Sequence, residues 1–128
     1  PCSVSQKAAE AAYTLPQDCV ETMRQAFERR RDLIVSLAKE IPGLEVNKPE
    51  GAFYLFPKCS SFFGKTDGQR TINNSTDFAM YLLEVGHVAT VGGDAFGDPD
   101  CFRMSYATSD DNIKEAMSRI KNALSLLK

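Results

Sequence analysis

The sequence predicts an α+β fold: a small, mostly antiparallel sheet with helices packed on one face, preceded by a long helix. Two patterns predict it. Apolar residues recur at three- and four-residue steps from Gln17 to Ile41 and again from Ile113 to Leu127, the period of helices with one buried side. Between them stand short β-rich runs, Ala52-Phe53-Tyr54-Leu55-Phe56 and Phe102-Arg103-Met104-Ser105-Tyr106, bounded by Gly, Pro and Asp. A chain of 128 residues can bury one real core and not two. Strand order is not legible in a single sequence.

Ser3 to Tyr13 is rich in helix formers, with Ser3 or Ser5 as the expected cap and Leu15-Pro16 as the break. The helix of 17–41 buries Val20, Met23, Phe27, Ile34, Leu37 and Ile41, with Leu33 and Ala38 widening the stripe. Pro16 suits its first turn and Pro42-Gly43 ends it. Its expected length is about 37 Å at 1.5 Å per residue. Arg29-Arg30-Arg31 reads as a solvated face with Glu28 and Asp32 as local partners.

Leu44-Glu45-Val46 is expected as a short strand, Lys48-Pro49-Glu50-Gly51 as a turn, and Ala52 to Phe56 as a strand closed by Pro57. Residues 59–74 are polar and lack periodicity, which suggests a mobile flap or an insertion. Ser75 is the expected N-cap of a helix from Thr76 to Val85, and Gly86 fits the left-handed position after it. Val88 to Val91 is a further strand. Ser109 caps the last helix, and Asp110 and Asp111 suit its positive end.

Composition removes several function classes. Net charge is −2, so no basic surface invites nucleic acid or acidic lipid. No apolar run approaches the roughly 18 residues of a membrane span, and no signal peptide precedes the domain. Cys2, Cys19, Cys59 and Cys101 form no C-x-x-C pair and His87 is the only histidine, so no zinc spacing is present. Free buried thiols in a reducing cytoplasm are the expectation. Neither Lys58 nor Lys65 has the context of a Schiff-base lysine, which must be desolvated and held against a cofactor.

Chemistry concentrates in Gly92-Gly93-Asp94-Ala95-Phe96-Gly97 and the strand Phe102 to Tyr106. Alternation puts Phe102, Met104 and Tyr106 on one face and Arg103 and Ser105 on the other. A guanidinium is a planar, permanently charged fork, suited to bidentate capture of a carboxylate. The three glycines would let backbone approach a small ligand. The residues alone admit two readings: an anion-gripping arginine at a cleft, or an arginine on the solvated side of a sheet.

Gly93-Asp94-Ala95-Phe96-Gly97 followed by Phe102-Arg103-Met104-Ser105-Tyr106-Ala107 resembles the C-terminal signature of the class I, aspartate aminotransferase-like enzymes. Gly51-Ala52-Phe53-Tyr54 and Ser3-Val4-Ser5-Gln6-Lys7-Ala8-Ala9 are similar to the same family, so the match covers nearly all of the chain. The resemblance implies the small C-terminal domain of a fold-type I enzyme dependent on pyridoxal phosphate (PLP). It implies that 1–16 are the tail of the large PLP-binding domain, 17–41 a long connecting helix, and 42–128 the substrate-side domain. It gives Arg103 the substrate α-carboxylate and makes Phe53, Tyr54 and Phe96 the supporting wall. The PLP lysine and phosphate ligands would lie upstream, so the piece would not transaminate alone. Amino acids and 2-oxo acids would be the substrates, the full-length enzyme a cytoplasmic homodimer, and an aspartate-type aminotransferase the first choice. C–S lyases and aminocyclopropane-carboxylate synthases share the arginine and stay open. So does a stand-alone, non-catalytic binding module.

Overall fold

A computed structural model describes residues 1–128. Its elements are α1 (Ser3–Thr14), α2 (Asp18–Lys39), β1 (Tyr54–Leu55), α3 (Ser75–Glu84), β2 (Val91–Gly92), β3 (Phe102–Ser105) and α4 (Asp110–Leu124), with 3-10 turns at Ser60–Phe62 and Gly93–Phe96. The three strands form one antiparallel sheet in the order β1-β3-β2, so the strand carrying Arg103 is central. Tyr54 faces Ser105 and Val91 faces Arg103.

The expected alternation along β3 holds. Phe102 and Met104 are buried, Arg103 is half-buried and Ser105 is exposed. The buried side meets all three packed helices. Phe102 packs at a tilt against Phe78 of α3, 4.8 Å between ring centroids, while Ile34 of α2 and Ile113, Met117 and Ile120 of α4 complete the same core. The Tyr81 hydroxyl donates to the Ala123 carbonyl at 2.8 Å, which fixes α3 to α4 inside that core. No helix is long and apolar enough to cross a membrane.

Several local expectations are corrected. α1 starts after Cys2 with no side-chain cap, and α2 starts after Gln17, leaving Pro16 outside it. Leu44 to Val46 forms no strand; only Glu45 bridges to Lys58. The strands expected at Ala52–Phe56 and Val88–Val91 are reduced to two residues each. Asn74, not Ser75, caps α3 by accepting from the Asp77 N–H. The left-handed residue after α3 is His87, at φ 54°, and not Gly86. Gly86 is needed for space instead, since a Cβ there would lie 2.8 Å from the Leu82 carbonyl oxygen.

Residues 59–74 are no loose flap. Cys59, Phe62 and Ile72 are buried, and Thr66 exchanges backbone hydrogen bonds with Lys128 at 3.2 and 3.0 Å. Only Arg31 of the arginine run keeps to its local partners, Glu28 and Asp32. Arg29 and Arg30 reach across to Asp110 at the start of α4, at 3.0 and 3.5 Å. The Ser109 cap of α4 is as expected, accepting from the Asn112 N–H.

Candidate functional site

Arg103 projects from the centre of the sheet, on the side away from the core. Its guanidinium carbon lies 4.3 Å from the Phe96 ring centroid and 5.6 Å from that of Tyr54. Six of the seven arginines, Arg24, Arg29, Arg30, Arg31, Arg70 and Arg119, stand within 3.5 Å of an Asp or Glu oxygen. Arg103 has no acidic partner and makes no hydrogen bond to the protein. Both rings lie within cation–π range, Phe96 the closer, and attract the cation through their quadrupoles. A cation–π contact uses none of the five N–H donors, so they stay free to donate.

The Phe96 side of this clamp comes from the turn after β2. Phe96 is half-exposed and braced edge-on by Phe56, with centroids 6.1 Å apart. The turn is tied at its root: the Gly93 N–H donates to the Cys101 carbonyl at 2.8 Å and to the buried Ser75 hydroxyl at 3.1 Å. A Cβ on Gly93 would fall 2.1 Å from the Asp98 carbonyl oxygen. This glycine therefore lets the chain approach itself, which corrects the expectation that it opens backbone to a ligand. Of the three glycines, only Gly97 faces open space.

The Tyr54 side comes from β1. Phe53 packs edge-on against Tyr54 with centroids 5.9 Å apart. Its carbonyl accepts from the Tyr106 N–H at 2.9 Å and the Ser105 hydroxyl at 3.4 Å. The expected residues Arg103, Tyr54 and Phe96 thus lie together within cation–π range, with Phe53 joined to them through Tyr54. Phe53 also lines a separate cleft of about 420 Å³ with Phe27, Arg31, Ala52 and Tyr106.

Two residues of this region were not singled out from the sequence. Ala52 has φ 61°, in the left-handed region, and its carbonyl accepts from the Tyr106 hydroxyl at 3.0 Å. Tyr106 read only as an apolar-face residue. The available signal was its hydroxyl, since a buried tyrosine OH needs a partner. Nothing in the sequence marks Ala52, because the neighbouring Gly51 is where a positive φ would be sought.

The thiols divide in two. Cys2 and Cys19 are exposed, which corrects the expectation that all four are buried. Burial pushes the Cys59 thiol up to about 12 and the Cys101 thiol up to about 11, so neither is a thiolate near neutrality. No group of three His, Cys, Asp or Glu is placed to hold a metal ion.

The family model described as aminotransferase class I and II matches residues 2–120. An aspartate aminotransferase of Rhizobium meliloti strain 1021 is 48% identical over 124 residues, which are 96% of this chain and 30% of that protein. The crystal structure of the aspartate aminotransferase from Rhizobium meliloti superposes with a TM-score of 0.94 at 46% identity, covering 100% of this chain and 32% of that one. An alanine aminotransferase from Pyrococcus furiosus superposes with a TM-score of 0.86 at 31% identity, covering 98% and 30%. The chain thus spans about a third of the length of these relatives.

Proposed function

Because this chain belongs to the class I and II aminotransferase family, we propose that it is the substrate-side, C-terminal part of an aspartate-type aminotransferase. Residues 1–16 are the end of the large domain, 17–41 the connecting helix and 42–128 the small domain. Arg103 receives the α-carboxylate that an amino acid and its 2-oxo acid share. Tyr54 and Phe96 hold its plane, and Phe53 extends the wall. The observation that carries this reading is the missing acid: among the arginines, only Arg103, with two rings beside it, lacks an internal carboxylate. A guanidinium held without a counter-charge is matched to one supplied from outside.

PLP would supply the electron sink for transamination. The Arg103 cluster does not fit that cofactor: its partners are two rings, with no lysine and no acid bonded to it. The PLP-binding groups therefore belong to the rest of the full-length protein, a cytoplasmic homodimer on this reading. This part of the chain binds and orients. Fixing the carboxylate of a substrate fixes the direction of its Cα–H bond, and the exposed rings beside it exclude water as the cleft fills.

The test is Arg103→Lys in the full-length enzyme. Lysine keeps the charge and loses the planar fork. With charged hydrogen bonds at about 1.5–3 kcal/mol, kcat/KM is expected to fall by about 10- to 100-fold. A value close to that of the unmodified enzyme overturns the assignment.

A further inference from the structure

We propose that the Tyr106 hydroxyl is a positioning group for carboxylate binding, acting through the strained backbone of Ala52. The inference rests on the role given to Arg103 above. Tyr106 is buried, at 1% exposure, and is edge-packed against Phe27 with centroids 6.3 Å apart. Its hydroxyl donates to the Ala52 carbonyl at 3.0 Å. Its backbone N–H donates to the next carbonyl, that of Phe53, at 2.9 Å. One residue thus grips two successive peptide units just ahead of β1.

The gripped unit is one that would otherwise relax. Ala52 sits at φ 61°, where a Cβ crowds the following carbonyl oxygen. Such a conformation persists only where its surroundings over-determine it. Here the bend directs the chain into β1, where Tyr54 pairs with Ser105 and presents its ring to Arg103. Releasing the bend lets Ala52 return to an ordinary φ and shifts the Tyr54 ring. The guanidinium then loses one of its two cation–π contacts. Tyr106 touches no reacting atom, so its effect falls on substrate binding and not on the chemical step.

The experiment uses the full-length, PLP-loaded enzyme and the variant Tyr106→Phe, which removes the hydroxyl and keeps the packed ring. KM for the amino-acid substrate is expected to rise about fivefold with kcat within about twofold, the scale of one neutral hydrogen bond. The second variant is Tyr106→Phe with Ala52→Gly. Glycine takes a positive φ without cost, so the double variant is expected to bring KM back to within about twofold of the unmodified enzyme. Crystals of the single variant are expected to show residue 52 out of the left-handed region, and crystals of the double variant to show it retained. An unchanged KM in the single variant overturns the proposal. So does a fall in kcat at constant KM, a double variant as impaired as the single, or a residue 52 that stays at positive φ without the hydroxyl. If Arg103→Lys is impaired while Tyr106→Phe is not, this inference fails alone. If Arg103→Lys is normal, the assignment it rests on fails first.

Discussion

Gly93 shows how one residue can be visible in a sequence for the wrong reason. A glycine-rich stretch beside an arginine suggests a backbone opened to a ligand. In the structure the missing side chain is required by the chain itself, with the Asp98 and Cys101 carbonyl oxygens 2.1 and 2.3 Å from where a Cβ would stand. Both are backbone atoms, so neither can swing aside. Gly93→Ala is therefore expected to cost about 3 kcal/mol or more, the upper range of overpacking. The denaturant midpoint, measured with an unchanged slope, checks this. A loss below about 1 kcal/mol would mean that the turn carrying Phe96 can yield, and that its hold on Arg103 is soft. The face of β3 that carries Arg103 was legible, because strand alternation needs no tertiary information, whereas its role came only from the family resemblance. The Tyr106–Ala52 bond was not, because its partners are 54 residues apart and the strained φ has no sequence mark.

At the scale of elements, helices were more legible than strands. Their apolar period is local, whereas β1 and β2 are two-residue strands whose length is set by pairing with β3. The run 59–74 looked loose for a related reason: its anchors, Phe62 and Ile72, lack any period, and its pairing partner is Lys128 at the far end. Helix ends carry a similar non-local contact. Asp110 opens α4, and the Arg29 guanidinium hydrogen-bonded to it holds its carboxyl below the ordinary value of 3.8. A carboxylate with a depressed folded value contributes stability that is present above the unfolded value and is lost as pH falls through the folded one. The contribution of this ion pair to α2–α4 docking is thus expected to fade below about pH 3.8, while the apolar packing of the two helices stays. Glu21, Asp32 and Asp67 are lowered too, so the readout is a comparison between variants. Thermal melts of Asp110→Asn are expected to lose less stability over that acid window than the unmodified chain. High salt is expected to narrow the gap, since Arg29 and Asp110 are both partly exposed. Parallel acid profiles would remove this pair from the stability of the docked helices.

The whole molecule divides into a packed body and an arm. Ile34, Val35, Ala38 and Ile41 of α2 and its end join the core with α3 and α4, while α1 buries none of its residues. Val4, Tyr13, Leu15, Val20 and Met23 are left 77, 89, 60, 47 and 54% exposed. The periodicity of Val20 and Met23 was read as a buried stripe, and in the structure both side chains are exposed. A helix of 12 residues with no packed face is marginal in water, because nucleation costs more than so few hydrogen bonds return. In these 128 residues alone, α1 amides are therefore expected to exchange hydrogen at nearly unprotected rates. Amides around Phe78 and Ile120, both fully buried, are expected to exchange only on global opening. In the full-length protein, α1 is expected to become protected as its apolar side chains are covered. Protection of α1 in the chain alone, unchanged by concentration and by the rest of the protein, would place 1–16 inside this domain and not at the end of the large one. Protection that rises with concentration would instead mean that copies of the chain pair through the arm. The same measurement on Arg103→Lys is expected to leave α1 unchanged and to shift the core by no more than the cation–π contacts are worth, about 0.5–1 kcal/mol each, because that guanidinium makes no hydrogen bond or ion pair to lose. This separates the proposed binding role of Arg103 from any role in holding the fold.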